Sequence, residues 1–207
     1  MIDYIRDPKA IYAESFRMIE AELAARGVSK NALVTRLIHA CGMVDIIDDL
    51  EVSDGAIEAG RSAIHSARPI LCDAEMVARG IIARAISIEP MTTLNDPQTP
   101  DLAKQMGTTR SAAGVELWKD HIAGAVVAIG NAPTALFHLL QRLDEGWPRP
   151  AVIIGMPVGF VGAAESKDLL AKTSPVPFIT IHGRRGGSAL ASAAVNALSL
   201  GLDGDGT

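Results

Sequence analysis

From Ala125 to Leu200 one pattern occurs three times: a short aliphatic run, a turn of small residues, then a segment with helical spacing. The first unit is Ala125-Val126-Val127-Ala128-Ile129, then Gly130-Asn131-Ala132-Pro133-Thr134, then a helix through Leu143. The second is Ala151-Val152-Ile153-Ile154, a turn from Gly155 to Gly162, and a helix holding Glu165, Ser166 and Lys167. The third is Phe178-Ile179-Thr180-Ile181-His182, the turn Gly183-Arg184-Arg185-Gly186-Gly187-Ser188, and a helix to Leu200. Continuous aliphatic strands joined by helices imply a parallel sheet covered on both faces. Pro69-Ile70-Leu71-Cys72 reads as an earlier strand of that sheet, and the β-branched run Ile81–Ile88 as another. The expectation is a three-layer α/β/α fold around a mostly parallel, five-stranded sheet.

The amino-terminal part reads as helices. Asp7 is a good N-cap and Pro8 fits the first helical position; Ile11, Tyr12, Ser15, Phe16, Ile19 and Leu23 recur at helical spacing until Gly27. Ser29 is the expected cap of a second helix carrying Arg36 and His39, and Asp54 begins a third that ends at Ala67. Asp73 to about Arg79 reads as a helix, Pro90–Pro100 as a loop, and Thr108-Thr109-Arg110-Ser111 as the start of a helix reaching Trp118. The chain is expected to be one domain: N-terminal helices over about 8–66, an α/β core over about 67–200, and a frayed tail over 201–207.

Charge and cysteines narrow the function. The net charge of −5 over 207 residues, with dispersed cations, argues against nucleic-acid binding, since no basic tract can displace condensed counterions. Cys41 and Cys72 form no Cys-x-x-Cys pair, so a structural metal or redox motif is not expected. The first residues lack a signal-peptide core, and no apolar run approaches the roughly 20 residues that span a bilayer. A soluble cytoplasmic protein without a membrane segment is expected.

The stretch Arg36-Leu37-Ile38-His39-Ala40-Cys41-Gly42 concentrates the chemistry. A spacing of three puts Arg36 and His39 on one helical face, and a permanent cation there favours the neutral imidazole. On spacing alone, a histidine that hydrogen-bonds the last carbonyls of its helix is the simpler account. Ser15 lies on a mostly apolar stripe, where its hydroxyl either bonds a carbonyl one turn back or points into a ligand cavity. Arg110, at the positive end of a helix, opposes the macrodipole unless an anion is recruited. The three glycine-rich turns fall at the carboxyl edge of the sheet, where ligands of open parallel sheets bind and helix amides face anions. No P-loop, Gly-x-Gly-x-x-Gly or Gly-x-Ser-x-Gly pattern accompanies them. His138 reads as a core residue, His65 and His121 as surface or half-buried, and His182 as a second-rank site candidate. Asp45, Asp48, Asp49 and Glu51 read as a solvated face. No histidine pair has metal-ligand spacing, so no metal is expected.

Taken together these residues resemble the precorrin-8X methylmutase family of corrin (vitamin B12) biosynthesis. The resemblance rests on Tyr4-Ile5-Arg6-Asp7-Pro8, Ile38-His39-Ala40-Cys41-Gly42 and Ala67-Arg68-Pro69-Ile70-Leu71-Cys72-Asp73. It extends through Thr109-Arg110-Ser111, Gly130-Asn131-Ala132-Pro133-Thr134-Ala135-Leu136-Phe137, Pro157 to Lys167, and Gly183 to Ala189. It implies a flavodoxin-like fold, a homodimer, and an isomerase that moves a methyl group from carbon 11 to carbon 12 of precorrin-8X, giving hydrogenobyrinate. The cobalt-containing substrate of the anaerobic route is an alternative, and a non-catalytic corrin carrier another. By the same resemblance His39 is the proton donor and acceptor, and no cofactor is needed. Arg36, Arg110, Lys167 and Arg184 would hold the carboxylates of the macrocycle. Ser15, Ser111, Asn131, Thr134 and Ser188 are the other substrate-binding candidates. The chain departs from the family pattern over Ile81–Ile86, where Arg84 is the candidate for a carboxylate contact.

Overall fold

The computed structural model describes residues 4–200, so the tail expected after Gly201 lies outside it. In chain order it forms α1 (Pro8–Ala25), α2 (Ala32–Cys41), a 3-10 segment (Val44–Asp49), β1 (Leu50–Val52), α3 (Ala56–His65), β2 (Ile70–Cys72) and α4 (Glu75–Gly80). A 3-10 turn (Ala83–Ala85), β3 (Met91–Thr92), α5 (Thr99–Met106), α6 (Arg110–Glu116) and β4 (Val126–Ile129) follow. The chain then runs through α7 (Pro133–Asp144), β5 (Val152–Gly155), α8 (Ala163–Thr173), β6 (Phe178–Ile181) and α9 (Ser188–Leu200).

The strands form one sheet in the order β1-β6-β5-β4-β2-β3. All neighbours are parallel except β1, which lies antiparallel on β6 with Leu50 opposite Ile181. Without β1, the parallel strands taken in chain order run 2-1-3-4-5, the flavodoxin-like arrangement, whose switch point lies between β2 and β4. The sheet has six strands among the described residues rather than the expected five. Strand side chains alternate between two cores. Ile70, Cys72, Val126, Ala128, Val152, Ile154, Ile179 and Ile181 pack under α2, α3, α4 and α9. Leu71, Val127, Ile129, Ile153 and Phe178 pack under α6, α7 and α8. Each of the larger aliphatic side chains buried this way contributes about 1.5–3 kcal/mol.

Two local expectations fail for identifiable reasons. Ile81–Ile88 forms no strand. The buried Asn196 of α9 takes its backbone instead, accepting from the Ile82 N–H at 2.8 Å and donating to the Gly80 carbonyl at 3.0 Å. The edge strand comes from the segment read as a loop, as the two residues Met91–Thr92. At α2 the N-cap is Asn31, not Ser29; its side chain accepts from the Val34 N–H at 2.9 Å. The Asp7 cap of α1 holds as read, accepting from the Ala10 N–H at 3.0 Å.

Gly42 ends α2 in the left-handed conformation (φ 70°), with its N–H on the Ile38 carbonyl at 2.7 Å. The 3-10 segment then leads into β1, which starts opposite the last residue of β6. That route delivers the end of α2, and His39 with it, to the carboxyl edge of the sheet.

Candidate functional site

His39 stands in the last turn of α2 with its ring exposed. The Ser15 hydroxyl of α1 lies 2.9 Å from its Nδ1. The Tyr12 and Phe16 rings flank the imidazole, each with its centroid 5.3 Å away, Phe16 edge-on. Ser15 thus bonds a neighbouring helix, which is neither the carbonyl one turn back nor a ligand cavity. Partial burial lowers the His39 pKa from its ordinary value, and the Arg36 charge lowers it further. Burial also lowers the Arg36 guanidinium, with Tyr12 opposing and the Arg84 charge reinforcing. The structure therefore brings Ser15, Arg36 and His39 together, and sets Arg84 within electrostatic reach of Arg36.

The other candidates lie along the same edge in two groups. Thr109 caps α6 by accepting from the Ala112 N–H at 3.2 Å, and its hydroxyl lies 2.8 Å from that of Thr134 in the first turn of α7. This contact joins the N-termini of two helices, where Arg110 is exposed and Ser111 half-buried. In the second group the Arg184 guanidinium lies over the Phe160 ring, 5.0 Å from its centroid. Phe160 and Val161 are 81% and 91% exposed, so this apolar platform is open to a flat ligand or another chain. Ser188 opens α9 beside it.

Two groups expected to meet an anion are engaged within the protein itself. The turn after β4 is already filled. Asp73, at the end of β2, is buried, and its carboxylate accepts from the N–H groups of Gly130 (3.0 Å), Asn131 (2.9 Å) and Ala132 (2.7 Å). Burial raises the Asp73 pKa while these three bonds pull it down. The backbone amides of this turn, Asn131 among them, thus serve a carboxylate of the protein itself. Gly130 is required here, because a Cβ would lie 2.8 Å from the Ser188 Cα and from the Ala191 Cβ. Lys167 is the second. It is fully buried, and its Nζ donates to the Arg185 carbonyl at 2.6 Å, so it braces the turn after β6.

Two further histidines also find partners. The His182 ring lies between Glu51 (Nε2 to carboxylate oxygen, 2.6 Å) and Asp168 (Nδ1, 3.1 Å), and the Glu51 bond chiefly raises its pKa. His138 is half-buried, with Nε2 at 2.5 Å from Glu116, which also accepts from Arg142 at 2.6 Å. The acidic patch is not merely solvated. Asp45 and Asp49 bind Arg185, and Asp48 binds Arg26 at 3.1 Å. Among the described residues no group of three or more His, Cys, Asp and Glu is placed to hold a metal ion. Sequence reasoning read Tyr12 and Phe16 only as part of a helical stripe, although their spacing from Ser15 would have set them around the same imidazole.

The chain thus has the architecture of a flavodoxin-like α/β protein whose switch-point amides are taken by its own Asp73. Comparison with known proteins makes this specific. The family model described as Precorrin-8X methylmutase matches residues 10–200. The Precorrin-8X methylmutase of Pseudomonas aeruginosa is 54% identical over 204 residues, covering 96% of this chain and 98% of the relative. That of a Sinorhizobium species is 52% identical over 202 residues, covering 95% and 96%. The solved precorrin-8X methyl mutase of Thermus thermophilus superposes with a TM-score of 0.82 at 39% identity, covering 92% of this chain and 94% of that one. The chain belongs to the precorrin-8X methylmutase family, the isomerases of corrin biosynthesis.

Proposed function

We propose that this protein converts precorrin-8X to hydrogenobyrinate by moving one methyl group from carbon 11 to carbon 12, with His39 donating and recovering the proton that makes the shift possible. The observation that carries this reading is the imidazole held at Nδ1 by Ser15 at 2.9 Å, between two aromatic rings. With Nδ1 engaged, Nε2 is the nitrogen that meets the ligand. Protonating a ring nitrogen of the macrocycle withdraws electron density from the conjugated system and weakens the bond to the migrating methyl group. A positioned acid of this kind contributes about 10²–10⁴-fold. No electron is exchanged and no covalent intermediate with the protein is needed.

The lowered His39 pKa has a role in this scheme. In the free protein the neutral imidazole is favoured by burial and by Arg36. A polyanionic macrocycle brings carboxylates to Arg36, offsets its charge and restores the affinity of the imidazole for a proton. The acid is thus armed by the substrate. Arg36, Arg110 and Arg184 receive carboxylates, with Arg84 beside Arg36, and Ser111, Asn131, Thr134 and Ser188 supply neutral contacts along the rim. Phe160 covers part of the plane.

The same reading makes the protein a single-domain cytoplasmic homodimer. The exposed apolar residues Val158, Phe160 and Val161 offer a surface for the second copy, and the free thiols Cys41 and Cys72 fit a reducing compartment. No described helix is long and apolar enough to cross a membrane. Both relatives described above carry the metal-free name, which favours precorrin-8X over its cobalt counterpart. Incubation of purified protein with precorrin-8X, followed by absorbance, tests the reading: spectral conversion to hydrogenobyrinate is expected. Conversion of the cobalt form alone would reassign the substrate, and product binding without conversion would make the protein a carrier.

A further inference from the structure

The turn after β6 is gripped at both ends of one residue. Lys167 donates to the backbone carbonyl of Arg185 at 2.6 Å from a fully buried position on α8, and burial holds its amine down to about 8. The guanidinium of Arg185 crosses to the 3-10 segment Val44–Asp49. Its Nη1 donates to the Asp45 carboxylate at 2.6 Å, its Nε to that of Asp49 at 3.2 Å, and its Nη2 to the Asp45 carbonyl at 3.3 Å and again to Asp49. Alongside, the His182 N–H donates to the Asp49 carbonyl at 2.8 Å. The turn packs closely on the chain after β5: a Cβ on Gly186 would lie 2.3 Å from the Met156 carbonyl oxygen, which also accepts from the Gly187 N–H at 2.8 Å.

These bonds join two parts of the site that are remote in sequence. The 3-10 segment begins two residues after Gly42, which closes the helix bearing His39. The adjacent Arg184 points away from this tie, with its guanidinium over the exposed Phe160 ring. An isolated surface ion pair is worth little. Here the geometry is fixed by four bonds from the Arg185 guanidinium and one from the buried Lys167 amine to the Arg185 carbonyl, which makes the link directional.

We propose that Arg185 is a positioning residue, setting the His39 segment against the ligand-facing turn Arg184–Ser188 and binding no substrate carboxylate itself. The consequence for activity rests on the methylmutase reading; the tie itself does not. Neighbouring arginines thus divide the work, Arg184 meeting the ligand and Arg185 holding the frame.

The test uses the full chain with R185Q, R185K, D49N and the double variant R185Q/D49N, beside R184Q. Hydrogen exchange of the amides over residues 43–49 needs no substrate. R185Q and D49N should each speed it about tenfold, the double variant no more than either, and R185K should recover part. On precorrin-8X, R185Q should lower kcat about tenfold with KM within about twofold, whereas R184Q should raise KM instead. Should R185Q fail to fold, D49N carries the same readouts. Unchanged exchange in R185Q and D49N would overturn the proposal. So would a rise in KM at constant kcat for R185Q, which would make Arg185 a substrate ligand. A wild-type protein inert towards precorrin-8X would count against the methylmutase reading, and the exchange data would still decide the tie.

Discussion

Two histidines at the carboxyl edge of this sheet have been driven in opposite directions. His39 is partly buried, with an arginine on its own helix, and its pKa falls. His182 sits between Glu51 and Asp168, and its pKa rises. The first environment favours a neutral ring that awaits a charge from outside, the second a cation already matched by its neighbours. Titrating residue type alone therefore says nothing about role; the burial and the charged partners around it do.

The sharpest way to break this contrast is to remove each ring. His39→Ala should lower kcat by about 10²–10⁴-fold in the precorrin-8X assay while leaving product binding in place. His182→Ala should leave turnover intact, and a comparable loss there would erase the distinction. Ser15→Ala should cost about tenfold in kcat, the worth of one orienting hydrogen bond of ~1.4 kcal/mol. Arg36→Gln removes a charge that disfavours the imidazolium, so an NMR titration of the free protein should find the His39 pKa moved up towards its ordinary value. No movement would show that burial alone sets it.

The smallest effect concerns stability. The raised pKa of His182 means that its contribution is complete below the unfolded value of about 6.5 and is lost as pH rises through the folded value. Both partners are partly exposed, which limits the gain to about 0.5 kcal/mol. Glu51→Gln should therefore lower Tm at pH 5.5 and leave it nearly unchanged at pH 9. A Tm difference that grew with pH would reverse the assignment of charge.

The parts of this molecule legible in the sequence were those with a repeated physical cause. Strands buried on both faces must be aliphatic, which made β2, β4, β5 and β6 readable. The same rule misled at Ile81–Ile88, because aliphatic character cannot reveal that an asparagine more than a hundred residues later will claim the backbone at Gly80 and Ile82. The strands β1 and β3, three and two residues long, carry too little pattern to be seen. In the site, the spacing of Arg36 and His39 announced their shared face, whereas the place of Ser15 depended on how α1 packs on α2. The glycine turns announced an anion, and one was there: the protein's own Asp73. Lys167 was read as a charge for a ligand, but only the tertiary structure shows it buried beneath the turn.

That internal carboxylate has a consequence for what this fold can accommodate. Flavodoxin-type proteins hold their ligands by threading a phosphate tail into the slot between the two strands at the crossover. With Asp73 lodged at that point, the amides of Gly130, Asn131 and Ala132 are spent on a carboxylate of the protein itself and are not on offer to a phosphate.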